Sequence, residues 1–242
     1  MARTWVKFLS LLLTFLFSSV NLYSQSIENL MRDLKQPATR KKKIQDIVEL
    51  GKLLKKEKMG ENYIKGVEIL YTTAKSTQED KIVRYWSIAS LALLKKMDNL
   101  PEWDLKRKEL VFNIVRGKED PEFRAEVALF GLGIFLEERK NKLNTYSEYI
   151  RLLKRLFYDR NENYMVRSNA APSLAVLGLL SQEKEKAIKT LFEIMHSIPP
   201  AQKDSRFMGR VILSLQEITG EKYQSPEEWE RWYKENFLKK LN

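Results

Sequence analysis

Beyond residue 35 the apolar residues return at spacings of three and four, the repeat of a helix with one buried face, and no five-residue stretch alternates as a half-buried strand would. Five segments align on a marker that follows an acid or amide by four positions. They are Gln36 with Arg40, Asp80 with Arg84, Asp120 with Arg124, Asn163 with Arg167, and Asp204 with Met208. The markers are spaced 44, 40, 43 and 41 residues apart. Counting the marker as zero, position +4 holds Ile44, Ile88, Ala128, Ala171 and Ile212, and position +7 holds Ile47, Leu91, Gly131, Leu174 and Leu215. Position +10 holds Leu50, Leu94, Ile134, Leu177 and Ile218, so one helical stripe is apolar in every copy. Gly131 is the misfit, a mark of close helix approach or of a slipped register.

A second set of helical patterns lies between these copies: Tyr63–Lys75, Trp103–Arg116, Tyr146–Tyr158 and Gln182–His196. The unit is therefore helix–turn–helix, with turns at 58–60, 99–101, 141–144 and 198–204. A period of 40–44 residues built from helix pairs predicts an all-α, right-handed α-α superhelix, a solenoid of about five pairs. Its repeats centre near 40, 84, 124, 167 and 208, within a domain spanning residues 27–242. At the C-terminus Ser225 suits an N-cap, Pro226 the first helical position and Glu228 a capping-box carboxylate. A capping helix over 226–240 then folds Trp229, Trp232 and Tyr233 over the last repeat; the alternative is an aromatic binding patch.

The run Asp-Pro-Glu-Phe-Arg-Ala-Glu-Val-Ala-Leu at 120–129 resembles the second helix of a HEAT repeat, as does Val-Arg-x2-Ala-Ala-x2-Leu-x2-Leu-Gly at 166–178. The tail, with Ile218-Thr219-Gly220, Tyr223, Ser225-Pro226-Glu227-Glu228-Trp229 and Trp232, resembles the closing segment of exported bacterial HEAT-repeat (armadillo-like) proteins. The resemblance covers about residues 33–240 and specifies no ligand. It implies that arginine and aspartate groups bridge neighbouring repeats and that the second helices line a concave side. The first copy departs from it, with three lysines after Arg40, and the fifth has Met208 in place of arginine.

The first residues change the compartment expected. Arg3 and Lys7 precede an apolar run, Phe8–Val20, too short to span a bilayer and suited to a signal peptide over residues 1–24. Ser24-Gln25-Ser26 offers a small-x-small cleavage site, and an uncleaved anchor is the alternative. An exported chain, periplasmic or secreted, could use disulfides, but this one has no Cys. Only 9 Gly and 7 Pro in 242 residues weigh against a many-turned β fold. The net charge of +11 then points to anionic envelope surfaces, lipid or polysaccharide, with no nucleic acid expected.

Catalytic chemistry finds little material. One His and no Cys leave no ordinary zinc set, no nucleophile or phosphate-loop motif occurs, and neither a cofactor nor a metal is expected. His196 is expected to satisfy carbonyls at a helix end. Asp80, Asp120 and Asn163 sit where N-caps belong, which favours a structural role for Arg84, Arg124 and Arg167 over a phosphate-binding ladder.

Two surfaces stand out. The stripe at +2, +6 and +9 predicts a concave groove for a protein or peptide partner, formed by Trp86, Ser90, Leu93, Phe130, Asn169, Ser173 and Arg210. Val176 extends the groove, and Pro172 should kink its helix. Lys41, Lys42, Lys43, Lys52, Lys55 and Lys56 form a basic patch, read either as a solvated face or as an attachment to an anionic membrane.

Overall fold

A computed structural model describes residues 26–56, 60–94, 100–136, 144–202 and 205–237. Among the described residues there are eleven α-helices and no strand. The protein is all-α, and it divides into two compact units, one ending at Tyr146 and one running from Ser147. The expected signal peptide lies outside the described residues.

The first unit holds α1 (Ile27–Leu34), α2 (Arg40–Lys56), α3 (Glu61–Lys75), α4 (Lys81–Leu93), α5 (Pro101–Arg116) and α6 (Pro121–Leu136). Here α2, α4 and α6 pack in sequence, α4 between the other two, while α3 packs on α4 and α5 on α6. The second unit holds α7 (Asn144–Tyr158), α8 (Tyr164–Val176), α9 (Lys184–Ser197), α10 (Arg206–Thr219) and α11 (Pro226–Trp232). In it α8 packs along α10, with α9 against both. The helix α1 has no counterpart in the periodic reading. Ser26 caps it by accepting from the Asn29 N–H at 3.2 Å, and Leu30 and Met31 bury its inner face.

The apolar stripe is the core. Ile88, Ala128, Ala171 and Ile212 are buried, as are Leu91, Leu174 and Leu215, and Leu50, Leu94, Ile134 and Ile218. Each large side chain of this kind stabilises the fold by about 1.5–3 kcal/mol. Only Ile44 and Leu177 stay half-buried. The helix starts follow from side-chain chemistry. Asp80 accepts from Ile82 N–H at 2.8 Å, Asp120 from Phe123 N–H at 3.0 Å and Asn163 from Met165 N–H at 2.9 Å. Each satisfies an otherwise unpaired N–H of a first turn.

The marker arginines close the other end of each pair. Arg84 donates its Nε–H to the carbonyl of Ala74 at 3.0 Å, Arg124 to Val115 at 3.2 Å and Arg167 to Phe157 at 3.1 Å. All three acceptors are the penultimate residues of the preceding helices, where carbonyls lack intrahelical donors. A carboxylate from beyond the helix pair completes two of these clamps, Glu119 from the turn before α6 and Glu193 from the next helix. Glu119 takes two bonds from Arg84, at 2.7 and 3.2 Å, and Glu193 lies 3.9 Å from Arg167.

The first copy sits three residues later than the sequence alignment placed it. Thr39, not Gln36, accepts at the start of α2, from Lys42 N–H at 3.3 Å. Lys43, not Arg40, reaches the carboxylate five positions before the next marker, Glu79, at 2.7 Å. Arg40 forms only an exposed pair with Asp80 at 3.6 Å. In the fifth copy Asp204 lies outside the described residues, and Ser205 precedes α10 without a side-chain cap bond. The helix α8 runs through Pro172 and ends at Val176, where Gly178 takes a left-handed φ of 70°. That conformation lets Leu179 N–H return to the Leu174 carbonyl at 3.0 Å, a helix stop that a side chain would strain.

The C-terminal cap forms as its sequence implied. Ser225 and Glu228 make a reciprocal capping box, and Trp229 is fully buried with its Nε1–H on the Tyr223 carbonyl at 3.1 Å. Tyr233 stacks on Phe192 of α9 with ring centroids 4.0 Å apart. Trp229 is thus part of the core, while Trp232 and Tyr233 are half-buried. The α-helix ends at Trp232, a wider turn covers Tyr233–Phe237, and residues 238–240 lie outside the described residues.

Candidate functional site

The expected groove is covered at its +6 positions and at Asn169. Phe130 is 5% exposed, and Ser90, Asn169 and Ser173 are more deeply buried still. Trp86, Leu93, Arg210 and Val176 are half-buried. A helix packed between two others is covered on three sides, so only a narrow strip can face solvent. Position +6 points at the preceding second helix: Ser90 Oγ donates to the Ile47 carbonyl of α2 at 3.3 Å, and Phe130 meets Tyr85 of α4 edge-on at 5.1 Å. Asn169 instead faces α10, where it accepts from Arg210. These residues hold helices together and are not a free surface.

The reason for small residues at +6 is visible at Gly51 of α2. A Cβ there would meet both Cβ and Oγ of Ser90 at 2.8 Å, so α2 and α4 approach too closely for larger side chains. What remains open on the second helices of the first unit is the +2 and +9 edge of the expected stripe, extended on α4 by Ile82 two positions before the marker. On α4 it carries Ile82, 38% exposed, with half-buried Trp86 and Leu93. On α6 it includes Gly133, beside which a Cβ would meet nothing within 4 Å.

The basic patch is partly neutralised from within. Lys42 pairs with Asp46 at 2.7 Å and Asp33 at 3.8 Å, which raise its pKa, the Asp46 hydrogen bond contributing most. Lys43 is engaged by Glu79 in the repeat contact described above. Lys41, Lys55 and Lys56 are exposed on α2, and Lys52 is half-buried. With 3.6 residues per turn, Lys41, Lys52 and Lys56 share the exposed side of the helix over roughly 22 Å.

A third feature was not legible in the sequence. A cleft of about 620 Å³ opens in the second unit, floored by Met195, Ile198 and Met208 and rimmed by His196, Glu227 and Glu230. His196 does not serve helix-end carbonyls through its ring. Its Nε2 lies 2.5 Å from Glu230 Oε1, joining α9 to the cap, with the imidazole 62% exposed. Nearby, burial and then the Glu193 and Glu230 carboxylates push the Tyr233 phenol up. Only the juxtaposition of α9, α10 and α11 creates this cleft, and no local motif encodes it.

No family model, no curated protein and no solved structure matches the chain. The geometry of the helix pairs therefore carries the functional argument.

Proposed function

We propose that the protein is an exported, non-catalytic α-solenoid of HEAT-like helix pairs that binds a protein or peptide partner along its second helices. The observation that supports this most is the recurrent clamp. Three successive pairs use an arginine on the second helix to close the C-terminus of the first, and carboxylates from later in the chain join two of the clamps. The arginine locks the two helices of a pair and the carboxylates tie that pair to the chain that follows, which is how a repeat array builds a continuous core from units too small to fold alone. Such arrays leave one side of their second helices available, and here the strip of Ile82, Trp86, Leu93 and Gly133 is its least covered part in the first unit.

The test is capture from envelope fractions by the tagged protein, with identification of what co-purifies. Gly133→Trp should leave far-UV circular dichroism and the melting temperature intact and abolish capture. Undiminished capture would place the binding surface elsewhere. Export is tested by fusing residues 1–30 to a reporter that is active only outside the cytoplasm; a silent reporter would remove the compartment on which this reading rests.

The exposed stripe of Lys41, Lys52 and Lys56, with Lys55 at its flank, favours a second reading, attachment to an anionic envelope surface, lipid or polysaccharide. Each lysine near anionic headgroups would contribute up to about 1 kcal/mol, screened as the Debye length falls from ~10 Å at 0.1 M salt to ~3 Å at 1 M. Lys41, Lys55 and Lys56→Glu should abolish co-sedimentation with anionic vesicles. Vesicle binding indifferent to salt would exclude the lysine stripe as its cause.

A further inference from the structure

The cleft in the second unit occupies the place that a marker arginine fills elsewhere. In the three arginine clamps the guanidinium meets the carbonyl of the penultimate residue of the preceding helix, Ala74, Val115 or Phe157. The corresponding residue of α9, Lys184–Ser197, is His196. Residues three and four beyond it are Pro199 and Pro200, neither of which has an N–H to offer its carbonyl. The marker facing it is Met208, whose thioether donates no hydrogen bond.

The acidic part of the clamp is nevertheless present. Glu193 comes from the helix that follows its arginine, and Glu227 and Glu230 come from α11, the helix that follows Met208; Glu119 comes from the turn before α6. A helix C-terminus, two carboxylates and an apolar floor thus surround a cleft of about 620 Å³. Helix C-termini favour cations, and a guanidinium matches carbonyl and carboxylate acceptors with a planar fork of donors.

We propose that this cleft is a socket for a guanidinium group, taking one arginine side chain from a partner polypeptide. The aliphatic stem lies on Met195, Ile198 and Met208, and the guanidinium reaches the His196 carbonyl and the Glu227 and Glu230 carboxylates. His196 shares Glu230 with the ligand. Arg231 and Lys234 also line the cleft, so the ligand is a single arginine among neutral neighbours rather than a polycation. The socket is read from individual helix pairs and does not rest on the open strip of α4 and α6.

The test titrates the full chain with N-acetyl-Ala-Arg-Ala-amide and, separately, with the same peptide carrying citrulline, which keeps the shape and loses the charge. Binding is followed by amide NMR shifts of residues 196–201 and 226–234. The arginine peptide should saturate these shifts, with citrulline at least ten-fold weaker. Glu227→Gln with Glu230→Gln should weaken the arginine peptide at least ten-fold. Met208→Arg should fill the socket from within, abolishing peptide binding while the melting temperature holds or rises.

Equal binding of the citrulline peptide, or no saturable shift at these residues, would overturn the proposal. A Met208→Arg protein that melts early would show that the last pair is not equivalent to the others. If that variant fails to fold, the citrulline comparison and the glutamine variants still decide. Loss of partner capture through Gly133→Trp leaves these shifts unmoved, so the two readings fail separately.

Discussion

Arginines in equivalent clamps should differ in what they contribute, and the difference can be worked from their partners. Arg84 is 7% exposed, donates to the Ala74 carbonyl and both oxygens of Glu119, and lies 4.6 Å from the centre of the Phe123 ring. Arg167 is as deeply buried but makes one bond, to Phe157, with Glu193 at 3.9 Å and its Nη2 without a hydrogen-bond partner among the described residues. Burial accordingly lowers the Arg167 pKa, against the weaker opposing pull of Glu193. Breaking a buried pair costs ~3–5 kcal/mol, but Glu119 is 34% exposed and can rehydrate, so Arg84→Met should cost about 2–4 kcal/mol. Arg167→Met removes a costly desolvation along with its one bond and should cost about 0–1.5 kcal/mol. Urea unfolding followed by far-UV circular dichroism measures both, and a cycle of Arg84→Met with Glu119→Gln should show coupling of about 1 kcal/mol or more. Equal losses at the two sites, or no coupling, would refute the account of the clamp.

Gly51→Ala should destabilise by about 1–3 kcal/mol despite the better helix propensity of alanine, because its Cβ meets Ser90 at 2.8 Å; Ser90→Gly in the same chain should recover part of that loss in chemical denaturation. Gly133→Ala, facing open space, should instead stabilise by up to about 1 kcal/mol in the same assay. The Glu228 carboxyl is held below its ordinary 4.5 by the backbone N–H groups of Ser225 and Gln224 and the Ser225 hydroxyl. A depressed folded pKa means that its contribution to the cap is complete above pH 4.5 and fades as pH falls through the lower folded value. Tryptophan fluorescence between pH 6 and 3 should show that loss in the native chain, and Glu228→Gln should remove this step from the profile.

The helix pairs were legible because their signals are local: a cap, a stripe at +4, +7 and +10, and a turn. Asp80, Asp120 and Asn163 each cap as their positions implied, and the sequence-derived spans of the first helices fall within two residues of those observed. The first copy misled because two basic residues, Arg40 and Lys43, lie one turn apart, and pattern alone weighs them equally. What distinguishes them is Glu79, on the next pair, which Lys43 reaches and Arg40 does not. The cleft was invisible for the same reason, since Met208, His196 and Glu230 share no motif.

The groove was drawn too wide by a more general limit of periodicity. A hydrophobic stripe separates the inner face of a helix from everything else, but a helix stacked between two neighbours has two further flanks that need not be apolar. Ser90 and Ser173 at +6, and Asn169 at +2, are polar and buried because close helix approach demands small side chains or internal hydrogen bonds there. The spacing therefore assigned them to solvent, while their small size was the available sign of contact. Ser214 bears this out at the next copy: it too is small, at +6 and buried, with its hydroxyl returned to the Arg210 carbonyl of its own helix at 2.8 Å. Position +6 is thus buried in the last four copies, at Ser90, Phe130, Ser173 and Ser214, whatever its polarity. Solvent is met instead at the +2 and +9 edge of α4 and α6, where Ile82, Trp86, Leu93 and Gly133 lie.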